Sequence, residues 1–154
     1  MLAGAAVALV GCGEEEVVVA APADALLRQL AAERTLVAAT ALAPHGTSGL
    51  AADTAREIAT RARDRAARVA TALSREGGRP HDAPQPPAER VAPEEAVVRA
   101  QAAIVAHVVA LPSLGGRDLR RLGAGLVGGA AADTALLSDA LGMPVEDPFP
   151  GTPG

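Results

Sequence analysis

The chain has 154 residues, a length typical of one domain, and its net charge is −4 with no Lys, no Trp or Tyr and a single Phe. Without a basic stripe or aromatic side chains to stack on bases, we expect no binding to nucleic acid. We expect no membrane-spanning helix either, because no apolar stretch approaches the ~20 residues that a span needs. The lone cysteine excludes an internal disulfide and a cysteine-based zinc site.

The N-terminal segment is apolar and leads into the only cysteine. Residues 2–10 have the length and character of the h-region of an export signal, and they run into Leu9-Val10-Gly11-Cys12. These four residues resemble the lipobox of bacterial lipoproteins, in which the cysteine is lipidated and becomes the new N-terminus. The resemblance implies that residues 1–12 are a signal peptide, that Cys12 carries the lipid, and that residues 13–21 are a polar tether. The alternative is a cytosolic chain in which Cys12 is a buried apolar side chain.

The first half of the chain predicts two helices. Pro22 lies near the start of the first, which should end by Pro44 and Gly46, with Leu26, Leu30 and Val37 on one face. The second should span about residues 50–74 and end at two consecutive glycines, residues 77 and 78. Its arginines lie mostly opposite an apolar stripe of Ala, Ile, Val and Leu.

The second half predicts a linker and two further helices. Residues 77–93 contain five prolines, too many for a helix. A third helix should span about residues 94–111 and a fourth about residues 118–141, and no segment alternates as a strand would. Two helix pairs joined by a long proline-rich crossover between helices 2 and 3 indicate an all-α four-helix bundle over residues 22–142, with residues 143–154 as a tail. One long connection of this kind is typical of ferritin-like folds.

The C-terminal third carries a more specific pattern. A helix ends at a proline, a short turn follows, a Leu-Arg pair opens the last helix, and an ALG-x-PV-x-D-x-F tail closes it. The residues of this pattern are Leu119, Arg120, Leu141, Gly142, Pro144, Val145, Asp147 and Phe149. The pattern resembles small ferritin-like domains of exported bacterial proteins, which are often lipoproteins. It covers about 45 residues well, and the first two helices only by pattern.

The resemblance also implies where a metal site would lie. Metal-binding members of this fold use one Glu from each of helices 1 and 3 and a Glu-x-x-His pair from each of helices 2 and 4. In this chain Glu33 retains the first ligand, whereas Gln101 is an amide where the second carboxylate belongs. The two pairs become Ala62-x-x-Arg65 and Ala130-x-x-Asp133, as the sequence has them.

That pattern leaves two carboxylates and no histidine, so we expect neither a metal nor another cofactor. The three histidines do not rescue the site, because His45 and His81 fall in loops and His107 falls off the main apolar stripe of helix 3. Two inward carboxylates would be costly unless they were paired.

We therefore expect Glu33, Arg65, Gln101 and Asp133 to form a buried polar network at the former metal position, with Arg34 as a second candidate cation. The alternatives are that Glu33 lies at the edge of the bundle and that Gln101 is a satisfied core amide.

These patterns predict a lipoprotein at the outer face of the cytoplasmic membrane, held there by its N-terminal lipid. It would be a non-enzymatic binding or scaffolding module whose partner is an unknown envelope protein or a second copy of the chain. The alternative is an iron- or manganese-dependent oxidase or storage protein in which Glu33 and Asp133 still hold one ion.

Overall fold

The structure is a computed structural model that describes residues 21–143, and all regular structure in that range is helical. The helices are α1 (Pro22–Thr40), α2 (Gly49–Arg75), α3 (Pro93–Ala110) and α4 (Arg117–Ala140). Single 3-10 turns occupy Pro80–Asp82 and Leu111–Ser113. The predicted all-α class with four helices is therefore confirmed. The signal peptide, Cys12, nearly all of the tether and residues 144–154 lie outside the described range.

Proline and glycine set the ends of these helices. Pro22 and Pro93 occupy the first turn of α1 and α3, where a missing N–H costs no hydrogen bond. Gly77 and Gly142 follow α2 and α4 with φ of 79° and 65°. In both cases the next residue donates back to the fifth residue before it, which is the Schellman arrangement and requires a left-handed residue.

The four helices pack side by side around a common core. α1 contacts α2 and α3, and α4 also contacts α2 and α3, so α1 and α4 lie diagonally opposite each other. The segment 76–92 returns along α1, because Arg34 donates to the carbonyl of Ala83 and the amide of Glu89 donates to the carbonyl of Ala38. Helix α3 therefore starts beside the C-terminal end of α1 and runs antiparallel to it.

The core consists of two apolar clusters at opposite ends of the bundle. The first contains Leu26 and Leu30 with residues of the other helices and of the turn before α4: Val69, Leu73, Ala110, Leu114 and Leu126. The second contains Leu36 and Ile58 with residues from all four helices and the linker: Ala39, Ala62, Val91, Val97 and Leu137. The two clusters are six or seven positions apart on α1 and α2 and ten or eleven apart on α3 and α4, and on each helix a buried polar residue lies between them.

The expectation that no stretch could span a membrane is wrong for one segment. By length and composition, residues 93–113, which comprise α3 and the turn after it, would be long and apolar enough to cross a bilayer. In this structure α3 packs against α1 and α4 as one wall of the bundle. Its charged residues are confined to its first two turns, which explains its high apolar content.

Candidate functional site

Each of the four helices contributes one buried polar side chain to a single layer between the two apolar clusters. These side chains are Glu33 of α1, Arg65 of α2, His107 of α3 and Asp133 of α4, and each is at most 4% exposed. We call them the polar layer. Groups this polar are rarely buried unless they are paired, so their contacts decide what the layer can do.

Arg65 lies at the centre of the polar layer and joins the two carboxylates. Its Nε donates to Glu33 Oε1 at 2.8 Å. Its Nη1 lies 2.7 Å from Asp133 Oδ2, an ion contact whose direction falls short of a well-aligned hydrogen bond. One guanidinium therefore neutralises carboxylates from two diagonally opposed helices, and its planar fork suits that role better than a lysine would.

Two further side chains extend the layer. The Nε2 atom of His107 lies 3.0 Å from Glu33 Oε1, the same oxygen that accepts from Arg65. Arg61, one turn before Arg65 and partly exposed, donates from Nε to Asp133 Oδ1 at 2.8 Å. Two guanidinium groups thus balance two carboxylates, without any charge on His107 being needed.

The electrostatics of Arg65 follow from these contacts. Burial alone would lower the pKa of its guanidinium, since it disfavours the charged form. The hydrogen bond and charge of Glu33, followed by those of Asp133, outweigh burial and leave the pKa of Arg65 raised above its ordinary value. Arg65 therefore keeps its positive charge at every pH at which the bundle would be studied.

A glycine on α4 makes room for the Arg65 side chain. A Cβ atom built on Gly129 would lie 3.2 Å from both Cδ and Nη1 of Arg65, closer than such atoms ordinarily approach. Gly128, its neighbour, has no described atom within 4 Å of the same position. The chain therefore accommodates Arg65 in two ways. Carboxylates pair with its guanidinium nitrogens, and the absence of a side chain at Gly129 leaves room beside its Cδ atom.

The polar layer is not fully satisfied by protein groups. Within residues 21–143, Glu33 Oε2, Arg65 Nη2 and His107 Nδ1 are buried and find no hydrogen-bonding partner. Gln29, one turn before Glu33, is also fully buried, with neither side-chain atom bonded. Each such group lowers stability by about 1–3 kcal/mol.

The sequence-predicted residues are only partly brought together. Glu33, Arg65 and Asp133 meet in the polar layer. Gln101 is half-buried and makes no side-chain hydrogen bond to another described residue, so it stands apart from them. Arg34 points to the linker, where its Nη1 donates to the carbonyl of Ala83. Cys12 lies outside the described residues.

His107 was missed, and its expected place off the apolar stripe of α3 is wrong. The buried positions of α3 are mainly alanines at spacings of three and four, and His107 falls in that series: Ala96, Ala100, Ala103, His107 and Ala110. Val108, which follows His107 in the chain, is exposed although it is apolar. Following the small residues rather than the large ones would have identified the histidine, because close helix packing favours alanine.

The residues of the polar layer do not fit a resident metal ion. Within the described part of the chain, no three His, Cys, Asp or Glu side chains gather as a ligand set. Both carboxylates face the Arg65 guanidinium, so a cation would have to displace a positive group that is bonded to each of them. A metal site needs anionic ligands in excess, whereas here the charges already cancel.

Comparison with known proteins yields no match for this chain. No protein-family model, no curated protein and no solved structure is significantly similar to it. What the protein does must therefore be inferred from its own residues.

Proposed function

We propose that this chain is a ferritin-like, non-catalytic helical module of the bacterial cell envelope. It is anchored by a lipid on Cys12 and acts by associating with other protein chains. The ferritin-like assignment is supported by the order of the helices around the core and by the return of segment 76–92 along α1. The non-catalytic assignment is supported by Arg65, which occupies the centre of the bundle and pairs with both carboxylates.

The observation that carries the associating role is an uncharged outer face on α3 and α4. Val98, Val105 and Val109 are 54–66% exposed, and with Ala102 they recur at spacings of four, three and four. No Asp, Glu or Arg occurs in residues 100–116 or in residues 122–132. The outer side of α2, in contrast, is densely charged, with Asp53, Arg56, Glu57, Arg63, Asp64 and Arg68 all exposed.

A second copy of the chain is the occupant that fits this face. An antiparallel pair of α3 helices would place Val98 of one copy opposite Val109 of the other, and Ala102 opposite Val105. The large and small residues would then interdigitate, as close helix packing requires. An 18-residue helix is about 27 Å long, so a face two helices wide would remove about 1,000 Å² in total, the lower limit for a specific interface.

A charge on the α3 face should abolish the dimer. We expect the full chain with Cys12→Ser to elute as a dimer in size-exclusion chromatography with light scattering. Val105→Arg should raise the dissociation constant of the dimer at least about 100-fold, because burying an unpaired charge in the interface costs ~3 kcal/mol or more. Leu50→Arg is the matched control, since Leu50 is 79% exposed near the start of α2. A monomeric parent chain, or equal dissociation by both variants, would refute the interface.

Replacement of Cys12 should abolish lipidation of the chain. In the intact bacterium we expect the parent chain in the membrane fraction, carrying labelled fatty acid, and Cys12→Ser without the label. An unlabelled parent chain of unprocessed length would instead favour the cytosolic alternative.

The metal-dependent alternative is separated by elemental analysis. We expect the chain, incubated with ferrous iron or manganese under reducing conditions and desalted, to retain close to no metal. Retention of one or two ions per chain would make the oxidase or storage role the better account.

A further inference from the structure

The seam between the C-terminal half of α2 and the start of α4 carries a continuous cleft lined by arginines. The cleft consists of three adjoining hollows. Asp118 lines all three of them, and Ala72 and Leu122 each line two. Arg68 and Arg75 line them from α2, and Arg117 and Arg121 line them from α4. We call these four residues the arginine cleft. Only two carboxylates, those of Glu76 and Asp118, share its walls.

The four residues of the arginine cleft have no carboxylate partner in the part of the chain that the structure describes. Among the described residues, none of the four lies in an ion pair, whereas Arg99 lies 2.6 Å from Glu89 and 2.8 Å from Glu95. All four are exposed, so their guanidinium groups are free to meet an external anion. Guanidinium groups suit phosphate especially, because their planar fork matches two phosphate oxygens at once.

The position of the arginines on α4 also conflicts with the electrostatics of the helix. Arg117, Arg120 and Arg121 fall within the first five residues of α4, at the positive end of its macrodipole. Cations there destabilise a helix, and anions are favoured. Arg120 donates to the carbonyl of Leu114, but among the described residues Arg117 and Arg121 make no such contact. A bound anion would offset the unfavourable position of these two arginines.

The charge of the bundle is polarised along its axis. Residues 21–30, 66–83 and 111–126 form one end and contain seven arginines against four carboxylates. Residues 38–60, 84–103 and 134–143 form the other end and contain three arginines against six carboxylates. The arginine cleft lies at the positive end.

The chain preceding α1 joins the bundle at this same end. Pro22 lines the cleft, and a Cβ atom on Gly115 would lie 3.8 Å from its ring. Nine residues lie between Cys12 and Pro22, and the ten steps of the chain from one to the other span at most about 35 Å. A lipid on Cys12 would therefore hold the positive end of the bundle close to the membrane surface.

We propose that the arginine cleft binds the phosphate groups of anionic membrane lipids and thereby holds the bundle against the membrane surface. The proposal rests on the lipid anchor of the proposed function. Lipid headgroups are favoured over free phosphate as the ligand, because the tether raises the local concentration of headgroups at this end of the bundle.

Vesicle sedimentation tests the proposal with residues 13–154, so that neither the apolar residues 2–10 nor a lipid anchor contributes. We expect binding to vesicles of phosphatidylglycerol and phosphatidylcholine, loss of that binding at high salt, and none to phosphatidylcholine alone. Arg117→Gln with Arg121→Gln should weaken binding about 25-fold, at about fivefold per basic residue near an anionic surface. These variants should fold at least as stably as the parent, since they remove cations from a helix N-terminus.

The matched control is Arg56→Gln with Arg90→Gln, which removes the same charge from the opposite end and should leave binding unchanged. If both double substitutions weakened vesicle binding equally, the effect would depend on net charge alone, and the arginine cleft would not be the binding site. A second experiment titrates the same chain with inorganic phosphate. Saturable binding of phosphate without binding to vesicles would overturn the lipid assignment in favour of a free anion. The Cys12 labelling experiment is independent, so that a labelled chain without vesicle binding refutes the cleft alone, and an unlabelled chain refutes the anchor.

Discussion

Arg65→Ala is expected to lower the free energy of unfolding by ~3–5 kcal/mol, the typical cost of removing one partner from a buried ion pair. Glu33 and Asp133, at most 2% exposed, would lose the guanidinium that joins them. Urea denaturation followed by far-ultraviolet circular dichroism gives this value, since the chain has neither Trp nor Tyr for fluorescence.

Arg63→Ala is the matched control for that experiment. Arg63 lies two residues earlier on α2, is exposed, and should change stability by less than ~0.5 kcal/mol. Adding Glu33→Gln and Asp133→Asn to Arg65→Met should recover much of the loss, because no buried charge would then remain unpaired. A loss below ~1 kcal/mol for Arg65→Ala would mean that the ion pairs are no stronger than exposed ones.

Gly129→Ala and Gly128→Ala are expected to change stability in opposite directions, although they introduce the same methyl group into adjacent positions of α4. At Gly128 the methyl group meets no described atom, so the higher helix propensity of alanine should stabilise the chain by up to ~1 kcal/mol. At Gly129 it meets Arg65 at 3.2 Å. Arg65 is held by carboxylates on two helices and cannot move aside without loss, so we expect net destabilisation of ~1–2 kcal/mol.

Thermal and urea unfolding of the two alanine variants measures this difference directly. Gly129→Ala combined with Arg65→Ala should be less harmful than the sum of the single changes, since the new methyl group fills space that the arginine has left. If Gly129→Ala were as stabilising as Gly128→Ala, the fit of Arg65 against α4 would be refuted.

The helices themselves were predictable because their signals are local. Pro22 and Pro93 fix the starts of α1 and α3, and Gly77 and Gly142 fix the ends of α2 and α4, through conformational preferences that no neighbour needs to supply. The end of α1 shows the limit of such signals. The helix stops at Thr40 rather than at Pro44, since Pro44 excludes the helical conformation before it without fixing where the helix ends.

The polar layer was only partly predictable. Glu33, Arg65 and Asp133 interrupt apolar stripes or lie at their edge, so their inward direction follows from helical periodicity. His107 escaped notice because alanine marks a buried face weakly, and valines at neighbouring positions suggested another face. Gln101 lies at helical spacing between Val97 and Ile104, which are both buried, and was therefore placed in the layer, whereas Gln101 itself is only half-buried.

The helices, their polar interruptions and the separation of charge among segments each depend on residues close together in the chain, so the sequence is enough to predict them. Which of the polar interruptions meet depends on how the helices pack. Contact between Glu33 and His107 joins residues 74 positions apart, and it depends on α3 running beside α1. The arginine cleft depends likewise on α4 beginning beside the end of α2. Periodicity gives the direction of a side chain about its own helix axis, whereas the identity of its neighbour is set by how four helices share one core.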